Sequence, residues 1–122
     1  MESIKKNEDF RTCYKLGRSC ANKYLVVYVL DNGSDHNRIG ISVSKKVGNS
    51  VVRHRIKRLV HESYRLHEKE FDNGSDIAVV GRRSADGASY YEIERALLFL
   101  LKKAGVYHGA EHHAEKGNDC SN

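Results

Sequence analysis

Two periodicities divide the chain. Over residues 7–16, Phe10 and Tyr14 stand one turn apart, which predicts a short helix that Asn7 caps and Gly17 stops. Residues 24–30, YLVVYVL, are apolar at both alternating sets, the pattern of a strand covered on both faces. In residues 38–43, RIGISV, Ile39, Ile41 and Val43 share one face and predict a second strand. The turn-rich DNGSDHN between the two makes them a plausible antiparallel pair. A long helix is expected from Asn49 towards Phe71, ended by Asn73-Gly74-Ser75. Residues 76–81, DIAVVG, predict a third strand. A last helix spans residues 89–104, with Ser89 as cap, Glu92 in capping-box position and Ile93, Leu97, Leu100 and Leu101 on its apolar side; Gly105 ends it. No repeat appears, so the reading is one α+β domain over residues 1–107 and an unstructured tail over 108–122.

The long helix is the informative element. At about 100° per residue, Val52, Ile56, Leu59, Ser63 and Leu66 form one stripe, with Val60 beside it, and that stripe is expected to face the core. Arg53, His54, Lys57, Arg58, His61 and Arg65 fall on the opposite side, with Arg55 on the flank. A merely solvated helix usually mixes signs, because acid–base pairs one turn apart stabilise it. Here Arg53 with Lys57, and His54 with Arg58, place like or near-like charges one turn apart, at a cost of a few tenths of a kcal/mol per like-charged pair unless an anion covers them. Lys45 and Lys46 precede the helix in a Gly-bearing loop that leads to its N-terminus, where free N–H groups also suit phosphate. Arginine forks match phosphate oxygens.

Composition agrees. The 122 residues carry 21 Lys+Arg against 16 Asp+Glu, a net charge of +5, which points to a polyanionic partner. An anionic membrane surface fits less well, because the apolar face of the helix is needed for the core. No apolar run is long enough to span a membrane, and residues 1–10 lack a signal-peptide core, so a cytoplasmic protein is expected. Cys13, Cys20 and Cys120 have no paired spacing and read as reduced thiols.

A second group is aromatic. Phe10 and Tyr14 can meet Tyr24, Val26 or Tyr28, either as ordinary core packing or as a stacking surface for single-stranded RNA. No metal-type carboxylate cluster, nucleophile elbow, P-loop or zinc-protease motif occurs, so the protein alone reads as a binder. The tail residues His108, His112, His113 and Cys120 are either a weak chelating group or a solvated segment.

Residues 45–58, KKVGNSVVRHRIKR, closely resemble the signature of the bacterial ribonuclease P protein family, K-K-x-G-N-A-V-x-R-N-R-x-K-R. Supporting resemblance lies in KKNEDF (5–10), ANKY (21–24) and RIGISVS (38–44), and extends over residues 5–107. Two positions depart: His54 stands for the family's Asn and Ser50 for its Ala. The resemblance implies an α/β sandwich, α-β-β-β-α-β-α, ribosomal protein S5 domain 2-like, with a left-handed β-α-β crossover. It implies contact with a catalytic RNA through Lys45, Lys46, Arg53, His54, Arg55, Lys57, Arg58 and Arg65. It also implies that Phe10, Tyr14, Val26, Tyr28 and Ser42 hold the 5′ leader of precursor tRNA. The implied chemistry is phosphodiester hydrolysis by Mg²⁺ bound mainly to the RNA, with no catalytic residue in the protein. The resemblance further implies a third RNA-facing region, a metal-binding loop, to which no residue of this sequence is assigned. The implied partners are the catalytic RNA in a 1:1 complex and precursor tRNA, with no membrane and no DNA. A general RNA-binding or RNA-chaperone protein of ribosomal type is the alternative.

Overall fold

The computed structural model describes residues 1–108. A short strand β1 (Glu2–Ser3) leads into helix α1 (Asn7–Leu16), and strands β2 (Arg18–Ala21), β3 (Leu25–Asp31) and β4 (Arg38–Val43) follow. Helix α2 (Ser50–His67) runs into a 3-10 turn over Glu68–Glu70. Strand β5 (Ser75–Gly81) and helix α3 (Tyr90–Lys103) complete the fold. From α1 onward the order is α-β-β-β-α-β-α, as expected; β1 and β2 are too short for periodicity to reveal.

One five-stranded sheet organises the chain in the order β1-β4-β5-β3-β2. The expected β3–β4 hairpin does not form. Strand β5 lies between them, antiparallel to β3 and parallel to β4, with Leu30 and Arg38 both opposite Asp76. The β4–α2–β5 segment is therefore a crossover between neighbouring parallel strands. The turn residues at 31–37 only reverse the chain; long-range burial of β5 decides the pairing, since all its residues but Val80 are buried.

Strand alternation splits the core in two. Leu25, Val27 and Val29 of β3, Ile39 and Val43 of β4, and Ile77 and Val79 of β5 join α2 and α3 in the main cluster. The other face carries a smaller cluster of Ile4, Cys13 and Ala78, with Phe10, Tyr28 and Leu30 packed on it. Thus α1 covers one face and α2 with α3 the other. Cover on the α1 face is incomplete, and Val26, Tyr28 and Leu30 stay half-buried.

The capping of α3 is as expected: Ser89 and Glu92 close a capping box, Ile93, Leu97, Leu100 and Leu101 are buried, and Gly105 takes φ +85° where the helix ends. Asn7 does not cap α1; Lys6 holds that position without a side-chain bond. On α2 the inward face is turned from the expected stripe. Tyr64 is buried and meets Phe71 at 5.0 Å between ring centroids, whereas Leu66 is 54% exposed. The helix also stops at His67, four residues short of Phe71. Cys13 is a buried free thiol and Cys20 is buried on β2, while Cys120 lies outside the described residues. The expected tail, His112, His113 and Cys120 included, lies outside the described residues except for His108, whose ring nitrogen stands 2.8 Å from Asp72. Among the described residues, no helix is long and apolar enough to cross a membrane.

Candidate nucleic-acid interface

On the α1 face, register places side chains in rows across β4, β5 and β3. Arg38, Asp76 and Leu30 form the first row, Gly40, Ala78 and Tyr28 the second, and Ser42, Val80 and Val26 the third. Helix α1 lies over the first two. At Gly40 a Cβ would stand 2.4 Å from Phe10 Cζ, so only glycine lets the Phe10 ring rest on the sheet. Phe10 and Tyr14 ring centroids are 6.2 Å apart, and Tyr14 meets Tyr28 edge-on at 4.9 Å. The Tyr14 hydroxyl has Ser42 as hydrogen-bond partner; burial outweighs that bond and pushes its pKa above the ordinary value. Yet Tyr14 remains 38% exposed.

The structure thus brings together all five residues expected to form a leader cleft. Phe10 closes one end, Tyr14 and Tyr28 make an aromatic wall, and Val26 and Ser42 flank the open row. Val80, at the centre of that row, was missed. Its sequence neighbours on β5 are buried and it is not, but only the strand register shows that it forms the floor.

The other interface begins where β4 ends. Lys45 and Lys46 are exposed in a turn held by Val47 N–H to the Ser44 carbonyl at 3.0 Å and by Lys46 N–H to Ser44 Oγ at 3.0 Å. Asn49 then caps α2, its Oδ1 accepting from Val52 N–H at 3.0 Å. The first turn of α2 carries no acid to neutralise its N-terminus. His54, Arg55, Lys57, Arg58, His61 and Arg65 are exposed along the helix.

Three of these predicted contacts are modified by their surroundings. Arg53 is half-buried, and its Nε is buried without a hydrogen-bond partner, so it does not stand on the open face. Arg55 donates from Nη2 to the Ala88 carbonyl at 2.8 Å, tying α2 to the start of α3. Arg65 is paired internally with Glu62 at 2.6 Å. Among the described residues, Lys45, Lys46, Lys57 and Arg58 have no ion-pair partner.

Among the described residues, no three His, Cys, Asp or Glu side chains come together to hold a metal ion.

The ribonuclease P family model matches residues 1–105. The chain belongs to the ribonuclease P protein family. A ribonuclease P protein component from Alkaliphilus oremlandii is 52% identical over 107 residues, covering 88% of this chain and 94% of the relative. One from Lachnoclostridium phytofermentans is 52% identical over 110 residues, covering 90% and 95%. Among solved structures, the Staphylococcus aureus RNase P protein superposes with a TM-score of 0.81 at 42% identity, covering 88% of this chain and 99% of that one. The Thermotoga maritima RNase P protein gives 0.77 at 33% identity, covering 84% and 97%.

Proposed function

We propose that this protein is the RNA-binding subunit of a cytoplasmic ribonuclease P ribonucleoprotein, pairing 1:1 with a catalytic RNA and gripping the 5′ leader of precursor tRNA. The observation that carries the reading is the junction at the end of β4. Ser42 closes the open row of the aromatic cleft, and Lys45 and Lys46 follow in the next turn, at the N-terminus of α2. A single strand leaving the cleft meets unpaired cations and free helix N–H groups at once.

The unpaired cations and α2 hold the catalytic RNA by phosphate contacts. The cleft offers aromatic edges and faces and three hydroxyls to unpaired bases, which suits a leader and not a duplex. Mg²⁺, held mainly by the RNA subunit, supplies the hydrolytic chemistry, and the protein supplies position and charge. His54 stands where the family has Asn and keeps a donor, an acceptor and a stacking face.

Reconstitution with a bacterial catalytic RNA at low Mg²⁺ tests the reading. Cleavage of precursor tRNA at the mature 5′ end should be stimulated. If the protein binds many RNAs alike and leaves site-specific cleavage unstimulated, a general RNA chaperone is the better description.

A further inference from the structure

Three of the six large apolar side chains exposed among the described residues lie on the two helices that pack together: Val51 at 75% and Leu66 at 54% on α2, and Tyr91 at 72% in the first turn of α3. Val51 and Leu66 lie on the flank of α2 that also holds Arg55 and the half-buried Leu59, since these positions repeat at helical spacing. That flank abuts the first turn of α3. Arg55 bonds the Ala88 carbonyl at 2.8 Å, and the Tyr90 hydroxyl is a hydrogen-bond partner of Ser63. Tyr90 and Tyr91 rings meet edge-on at 5.6 Å. A groove of about 480 Å³ is lined by Leu59, Tyr90, Lys57, Arg58 and His61, with Glu62 also in its lining.

The core does not require this apolar exposure; Ile56, Val60 and Tyr64 already fill the inward face of α2. Of the acids on these two helices near Tyr91, Glu62 pairs with Arg65 and Glu94 with His67, while Glu92 accepts from the Ser89 N–H and the Tyr24 hydroxyl. Arg55 and Arg58 carry no ion pair among the described residues. Exposed aromatic rings beside unneutralised guanidinium groups match one occupant, an unpaired nucleotide whose base stacks and whose phosphate is held by arginine.

We propose that Tyr91, with Tyr90 behind it, is a stacking site for an unpaired nucleotide of the catalytic RNA, with Arg58 and Arg55 on the adjoining phosphates. This site rests on the reading of α2 as the catalytic-RNA face and extends that face onto α3.

The experiment uses the full chain and a bacterial ribonuclease P RNA, measuring affinity from about 50 to 200 mM salt. Tyr91→Ala and Tyr91→Leu should each lose roughly 5- to 150-fold at every salt concentration, the equivalent of one lost stack, with an unchanged salt slope. Tyr91→Trp should bind as tightly as the parent or more so. Arg58→Ala should instead flatten the salt slope by about one counterion. Thermal unfolding should be unchanged in every Tyr91 variant, because the ring is exposed. If the parent protein itself binds without a steep salt slope, the catalytic-RNA reading fails. If the parent binds steeply and Tyr91→Ala matches it, or Tyr91→Leu restores what Ala loses, the stacking site is overturned.

Discussion

Arg38 grips Asp76 across the β4–β5 register with two parallel bonds, Nη2 to Oδ2 at 2.6 Å and Nε to Oδ1 at 2.9 Å. Its remaining Nη1 reaches Asp9 on α1 at 3.3 Å, and Asn32 donates to Asp76 at 2.9 Å. This network lies under the end of α1 that carries Phe10, so it fixes the height of the helix above the sheet.

Arg38→Ala should therefore cost on the order of 3 kcal/mol, because it leaves a nearly buried carboxylate without its cation. Burial opposes ionisation of Asp76, but the bonds from Arg38 and Asn32 outweigh it and hold its carboxyl below the ordinary value. A depressed folded-state pKa gives stability that is present above the unfolded value, about 4, and is lost as pH falls through the folded value. The parent should lose stability below about pH 4. Asp76→Asn, measured by thermal unfolding between pH 2 and 6, should show a flatter acid limb.

The inward and outward sides of α2 should separate cleanly. Ile56 is fully buried, so Ile56→Ala should cost about 2–5 kcal/mol by denaturant unfolding. Lys57→Ala with Arg58→Ala should leave stability within about 0.5 kcal/mol each and weaken catalytic-RNA binding, with a shallower salt dependence. A large stability loss from that pair would show that these side chains pack and do not bind.

Tyr14 and Phe10 should behave differently within the cleft. Tyr14→Ala removes a partly exposed ring, so binding of leader-bearing precursor tRNA by the holoenzyme should weaken by about 1–3 kcal/mol while leaderless tRNA is unaffected. Phe10 also packs on Gly40 and the small core cluster. Phe10→Ala, or Gly40→Ala, which forces the ring aside, should lower both leader affinity and thermal stability. Equal losses for both tRNA ligands with Tyr14→Ala would sink the leader assignment.

His67 joins the end of α2 to α3. Its ring nitrogens stand 3.2 Å from Glu70 and 2.9 Å from Glu94. Burial disfavours its charged form, and the two carboxylates outweigh burial, so its pKa lies above the ordinary value. A raised folded-state pKa gives stability that is full below the unfolded value of about 6.5 and is lost as pH rises through the folded value. Melting temperature should fall as pH rises from about 6 to 8 in the parent. The same series on His67→Gln should be nearly flat.

Local chemistry made some of these features legible and long-range geometry hid others. The α3 cap at Ser89 and Glu92, its buried leucines and the Asn49-initiated α2 all follow from signals within a few residues. So does the ordered run of cations from Lys45 to Arg58. The pairing of β3 with β4 was misread because a turn-rich loop is a local signal, whereas the insertion of β5 is decided by burial on both its faces. Tyr64 and Leu66 exchanged places because a helical wheel fixes relative angles and not which way the helix is rolled on the sheet. Arg53 fell from the open face for the same reason. Val80 needed the register itself. The Phe10–Tyr14–Tyr28 cluster was visible as aromatic spacing, but only its incomplete cover by α1 distinguishes a cleft from a core.

The central place of β5 also sets the order in which these parts come into being. It is the last strand of the sheet to be made, and it joins β3 to β4. Until the ribosome has released residues 75–81, Tyr28 and Ser42 belong to two unconnected edges, and α1 has no Ala78 to rest on. Pairings over such separations are slow to form, because chain closure must precede them. A nascent chain ending before Ser75 thus holds the five expected cleft side chains but no cleft, so this face takes shape only once β5 has been made.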